Sequence, residues 1–260
     1  MDLLINNKYY IIRTGDFATD ANKKIIYIFL SCLLCLHDSI TNKNIEYFAV
    51  MIGSSIIWTA IELFLNVQKV RIIKPMKLTW NNKSKILNKY TGICLQGIQE
   101  GGVVTIIGLY FGDRFYSGFY QFFYHLLITY MVLNMIIKNS NTKSLSRRQI
   151  NTPGSLCLMC SATIFNTWVL INNPSHFYRE LNMFISMIYI SSIWTVISYY
   201  KDFRKVEVYI YNDNDYTRKS DNVIDAFLIL GYDVIFEIGI AYITFYNMFI
   251  IPYNQLTETS

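Results

Sequence analysis

Leu95-Gln96-Gly97-Ile98-Gln99-Glu100-Gly101-Gly102 lies inside an apolar run that extends from Tyr90 to Gly112. The run has the length of a membrane-crossing helix, which needs about 20 mostly apolar residues. It nevertheless carries a carboxylate, two amides and three glycines within eight positions. Ionisable groups inside such a helix are expensive, and where they occur they point to function.

Working outward from this run, the whole chain has the composition of a membrane protein. Of its 260 residues, 53% are hydrophobic and only 16% are charged, whereas charged residues make up roughly a quarter of an ordinary soluble domain. Seven segments read as spans: about 24–41, 45–66, 90–112, 115–138, 154–173, 178–200 and 222–251.

The basic residues test this count independently, because Lys and Arg are retained on the cytoplasmic side. With seven spans, the N-terminal segment and the loops 67–89, 139–153 and 201–221 share one face. Counting Lys138 at a helix end, that face holds twenty of the 23 Lys and Arg residues; the other keeps only Lys43, Arg114 and Arg179. The sequence therefore predicts an all-α, multi-pass integral membrane protein of seven transmembrane helices. Its N-terminus (1–23) is cytoplasmic, and its short C-terminal tail (252–260) is outside or luminal. The net charge of +5 is then a sign of topology and no nucleic-acid footprint. Met1–Lys24 is too polar for a cleavable signal peptide, and the sequon Asn82-Lys83-Ser84 falls on the cytoplasmic face.

Two cytoplasmic stretches have strand character: Lys8-Tyr9-Tyr10-Ile11-Ile12-Arg13, and Val206-Glu207-Val208-Tyr209-Ile210-Tyr211 with its period of two. Since both lie on one face, they are expected to pair as a small hairpin or sheet. The loop 67–89 holds seven basic residues and no acid, interleaved with Val70, Ile72, Ile73, Met76, Leu78 and Trp80. That pattern fits a segment lying on anionic headgroups, and it also fits plain positive-inside bias.

The candidate chemistry is carried by Glu62, Glu100, His125, Asp233 and Glu237, with Asp225 nearer the surface. A rise of about 1.5 Å per residue sets Glu100, His125 and Glu237 close to mid-membrane. Asp233 and Glu237 are four residues apart and so share a helix face. No Lys or Arg is expected deep in any span, so desolvation should favour the neutral carboxylic acids. The expectation is one central pocket holding these groups, opening to the cytoplasm and lined by Trp58, Gln96, Tyr124 and Trp194. Glu100 would then be a protonated acid. Gly97 and Gly101 form a small-xxx-small pair for close helix approach, and Gly102 weakens the helix beside the carboxylate.

No cofactor and no metal is expected. The pairs Cys32/Cys35 and Cys157/Cys160 lie within helices rather than on turns, and the three histidines form no metal box. Helix 7 lacks the lysine of a retinal Schiff base. The Tyr232-Asp233 and Gly112-Asp113 pairs stand in the wrong order for an intramembrane aspartyl protease.

In size, helix count and the placement of Glu62 in the second span and Asp233 or Asp225 in the last, the chain resembles the small seven-helix terpene cyclases of fungal meroterpenoid pathways. The resemblance implies metal-free protonation of an isoprenoid epoxide by those two acids. The family's Trp-Glu pair is not present, since Trp58 stands four residues before Glu62, and Glu100 is additional.

Three functions follow as expectations. The first is an intramembrane enzyme acting on a lipid or isoprenoid by carboxylic-acid general acid/base catalysis, with aromatic faces suited to a developing cation. The second is a proton- or cation-linked transporter using the same acids with His125 as relay. The third is a non-catalytic receptor or scaffold read through its cytoplasmic loops. The partners expected are membrane lipids, anionic headgroups at 67–89 and a lipid-like small molecule.

Overall fold

The apolar runs fold as helices whose ends are set by local chemistry. In the computed structural model of the chain, which describes residues 6–14, 20–67, 75–138, 145–212 and 215–258, helix α1 (Ala21–Asn42) starts at Asp20. The Asp20 side chain accepts from the Lys23 backbone N–H, and the helix stops where Lys43 turns left-handed at φ 55°. Helix α2 is Glu46–Val67 and α3 is Lys89–Asp113, the latter capped by Asn88. Helix α4 is Gly118–Lys138. Helix α5, Pro153–Asn172, has the Thr152 cap and first-turn proline of a well-specified start. After the 3-10 turn Pro174–His176 come α6, Phe177–Tyr200, and α7. The last runs without interruption through Val223–Tyr232, Asp233–Ile240 and Ala241–Glu258.

Seven long helices thus stand where the seven apolar runs predicted them. Five of them (α1, α2, α3, α5 and α6 with its leading turn) are long and apolar enough to cross a membrane. Their outward faces carry large apolar residues such as Ile26, Phe29, Ile56, Phe64 and Ile164, all exposed. This is the surface a lipid environment would cover.

The protein is mostly helical, at 75%, but it is not all-α, which corrects the sequence expectation. A four-stranded antiparallel sheet in the order β4-β1-β5-β6 closes one end of the bundle. Its strands are β1 (Lys8–Thr14), β4 (Leu145–Gln149), β5 (Arg204–Asn212) and β6 (Asp215–Arg218). A separate hairpin joins β2 (Lys77–Trp80) to β3 (Lys83–Ile86). The expected pairing of the two stretches with strand character is present, with Ile11 opposite Val206 and Tyr9 opposite Val208. Those residues share a face that packs with Ile150 onto Ala226, Ile229 and Leu230 of α7. The first turns of α7 therefore belong with the sheet.

Helix α3 is the most buried of the five, and its glycines explain why. A Cβ on Gly97 would lie 2.5 Å from the Thr59 Cα, and one on Gly101 would lie 2.4 Å from the Ser54 carbonyl oxygen. Helix α2 thus rests directly on the α3 backbone, as the small-xxx-small spacing predicts. Farther along, a Cβ on Gly112 would stand 2.8 Å from the Met183 Cα of α6. In this way α3 is wedged between α2 and α6.

Candidate functional site: the buried charge clusters

Two of the three helices that carry the candidate acids, α3 and α7, are locally widened. Residues Ile98–Val103 of α3 and Asp233–Ile240 of α7 are π-helical, a form that is rare and found often at functional sites. Glu100 lies in the first segment; Asp233 and Glu237 lie in the second.

Glu100 is held by side chains of α2, α3 and α7, with Lys24 of α1 behind Gln96. One carboxylate oxygen accepts from Trp58 Nε1 of α2 at 3.1 Å, and the other accepts from Gln96 Nε2 one turn earlier. The Gln96 Oε1 in turn accepts from Lys24 Nζ of α1 at 2.7 Å, and the same ammonium donates to Gln99 Oε1 at 2.5 Å. From α7, Tyr242 donates to the backbone carbonyl of Glu100 at 2.5 Å, while its ring stacks on Trp58. Lys24 is buried, and so are Gln96 and Glu62. This geometry overturns one expectation. A cation does reach the middle of α3, carried on the side chain of a residue at the start of α1. Both Glu100 oxygens accept from N–H donors.

Asp233 and Glu237 sit elsewhere, against the sheet. Arg148 of β4 reaches Asp233 Oδ1 at 2.7 Å and Glu237 Oε2 at 2.5 Å, and Arg204 of β5 pairs with Asp233 Oδ2 at 3.2 Å. Strand register brings these cations together. Arg148 stands opposite Ile11, while Arg204 stands opposite Arg13 on the same sheet face. Burial pushes the Arg204 pKa below its usual value, against the pull of Asp233 in the other direction. Arg204 also donates to Thr195 of α6 at 2.7 Å. The acids of α7 therefore have counter-charges, contrary to the sequence reading, and they lie at the sheet end of the bundle instead of its middle. Asp225, about two turns earlier on α7, pairs with Lys219 at 2.8 Å.

His125 is in a third place. It is exposed on the outside of α4, 3.2 Å from the Tyr189 hydroxyl. The Tyr124 hydroxyl is buried and donates to the Ser186 carbonyl of α6 at 2.5 Å. Both residues line an aromatic recess of about 200 Å³ that also includes Phe111, Arg114 and Tyr189. Trp194 is half-buried on α6, next to Thr195. The single pocket expected for Glu62, Glu100, His125, Asp233 and Glu237 is thus divided: Glu100 has its partners on α1, α2, α3 and α7, the α7 acids have theirs on the sheet, and His125 faces outward.

A cluster unmarked in the sequence reading closes the far end. Arg114 pairs with Asp38 at 2.6 Å, and Arg179 bridges Asp113 (2.7 Å) and Glu46. The Tyr47 hydroxyl donates to Asp113 at 2.6 Å. Arg114 and Arg179 are thus each matched to acids near helix ends. Of the cysteines, Cys35 is buried, whereas Cys157 and Cys160 are exposed on α5. Among the described residues no group of three or more His, Cys, Asp and Glu side chains is placed to hold a metal ion.

The fold and site together define a helical protein with five helices long and apolar enough to cross a membrane, capped at one end by a small sheet. No known family, characterised protein or solved structure matches the chain.

Proposed function

We propose that the chain is a seven-span integral membrane protein, N-terminus cytoplasmic and C-terminus outside, of the receptor or scaffold class. Its cytoplasmic sheet is the part offered to other molecules, and the acids of α7 with their arginine partners serve to hold that sheet on the bundle. The observation that carries this reading is the pairing of Asp233 and Glu237 with Arg148 and Arg204. Arginines from the same chain offset the cost of burying these carboxylates, which fits a structural part for the acids. The basic residues support the orientation, since Lys8, Lys77, Lys83, Arg147, Lys205 and Lys219 all belong to the sheet end.

The sheet's outward face is built for contact. Arg147 lies over the Tyr10 ring at 3.8 Å and pairs with Glu207 at 3.0 Å, while the edge strand β6 is exposed along its length. Exposed edges of this kind accept partner strands.

A second reading, acid–base chemistry on a lipid or isoprenoid, is favoured by one observation. Glu100 sits in a π segment beside the stacked pair Trp58 and Tyr242, where an aromatic face adjoins a carboxylate. One experiment separates the two readings. Glu100→Gln and the double variant Asp233→Asn/Glu237→Gln are expressed beside the parent chain, and lipid extracts and pH-gradient-driven uptake in proteoliposomes are compared. Unchanged lipids and unchanged uptake are expected. Disappearance of one lipid species with Glu100→Gln, at normal expression, would establish the enzyme instead; loss of uptake would establish a transporter.

A further inference from the structure

The β2–β3 hairpin has no part in the charge clusters, yet it is closely specified. Its two-residue turn, Asn81-Asn82, has φ 46° and 60°, the pair of left-handed residues that a type I′ hairpin turn requires and that asparagine tolerates. The register sets Trp80 opposite Lys83 and Leu78 opposite Lys85. Cross-strand partners share a face, so one side of the hairpin presents Trp80, Leu78, Lys83 and Lys85 together.

The hairpin is fixed to the bundle on its Thr79 edge. Asn22, in the first turn of α1, donates to the Thr79 carbonyl at 2.8 Å and accepts from the Thr79 N–H at 2.7 Å. Below it, Met76 is buried against Gly92 of α3, and the Leu87 N–H donates to the Met76 carbonyl at 2.9 Å. The tip is therefore held at the level where α1 begins.

At that level Trp80 is 75% exposed and Ile86 64% exposed. No acid occurs from Pro75 to Tyr90, and among the described residues none of Lys77, Lys83, Lys85 and Lys89 is in an ion pair. An isolated two-stranded hairpin is marginal in water, and an exposed Trp with unpaired lysines beside it is the composition of a membrane-interface anchor.

We propose that this hairpin is a binding element for the anionic phospholipid headgroups of the bilayer the bundle occupies. Trp80 enters the interface with Leu78 beside it, and Lys83 and Lys85 on the same face bind the phosphates around it. The proposal rests on the membrane-spanning reading above and says which leaflet lipid the protein selects: the phosphate-rich, negatively charged one at its basic end.

The test uses the full chain reconstituted in nanodiscs of phosphatidylcholine alone and of phosphatidylcholine with about a third phosphatidylglycerol, an excess of anionic surface of the kind that attracts polybasic segments. The Trp80 signal is taken as the difference between the parent chain and Trp80→Phe. Quenching by lipids brominated near the headgroup and by aqueous iodide is recorded in each disc. The expected result is lipid quenching at least twofold stronger in the anionic discs, with iodide access lost, and abolition of that difference in the Lys83→Gln/Lys85→Gln variant. A Trp80 open to iodide in both compositions would overturn the proposal and leave a soluble partner as the occupant. Failure of the chain to enter discs at all would instead overturn the membrane-spanning reading, so the two failures are distinguishable.

Discussion

Asp233 is 2% exposed and Arg204 is 5% exposed, so neutralising one of them strands the other. Breaking a buried pair by removing a single partner costs about 3–5 kcal/mol. Arg148 is a third exposed and can turn to solvent, which puts Asp233→Asn near the lower figure, about 3 kcal/mol. A fall in the thermal midpoint of the detergent-solubilised protein checks this. Replacing both partners with apolar residues, Asp233→Leu with Arg204→Met, is expected to recover at least half of that loss, because well-packed apolar side chains match a buried pair in stability. A double variant as unstable as Asp233→Asn would show that Arg204 acts through something other than its pair. At Gly101 the mechanism is steric. The Cβ of Gly101→Ala would meet the Ser54 carbonyl at 2.4 Å, so α2 must move away, at about 1–3 kcal/mol for overpacking. Gly118→Ala, with open space around its Cβ, is the control and is expected to leave the midpoint unchanged.

At the scale of elements, the helices were legible in the sequence and the charge pairing was not. Hydropathy runs of about 20 residues place α1 to α7 within a few positions, because each helix must cover its backbone polar groups and show an apolar face outward. The aromatic and β-branched run Tyr9-Tyr10-Ile11-Ile12 and the alternation in Val206-Glu207-Val208 were equally readable. Strand β4, Leu145-Ser146-Arg147-Arg148-Gln149, has little strand propensity of its own and is held by pairing with β1. Reading it as a loop hid Arg148, and with it the partner of Glu237, 89 positions along the chain. Lys24 was hidden differently: it sits at a helix start and looks like a snorkelling surface lysine, but its side chain points inward to Gln96 and Gln99. The helix weakness at Gly102 did signal the π segment beside Glu100, while nothing comparable marks the one at Asp233. The β2–β3 turn makes its own prediction. Asn81→Ala with Asn82→Ala places two alanines in left-handed backbone at roughly 1–2 kcal/mol each. Protease cleavage within Lys77–Ile86 should quicken at least severalfold, while Asn82→Gly leaves it unchanged.

For the molecule as a whole, a helical bundle with large apolar residues on its outward faces meets a small sheet at one end, and the acids of α7 pair with sheet arginines at the joint between them. Topology follows from that arrangement. Single cysteines introduced at Lys205 and at Asn254, in a chain otherwise free of cysteine, should react with a membrane-impermeant maleimide from opposite sides of sealed vesicles. Labelling of both from one side would remove a span from the bundle. The joint itself is tested most directly by hydrogen exchange on the nanodisc-embedded protein, parent chain against Asp233→Asn. The account predicts that backbone amides of β1 and β5 lose protection by at least tenfold in the variant, while those of α3 around Ile106 keep theirs. Unchanged protection across the sheet would contradict it, because the acids of α7 would then be doing something other than holding the sheet in place.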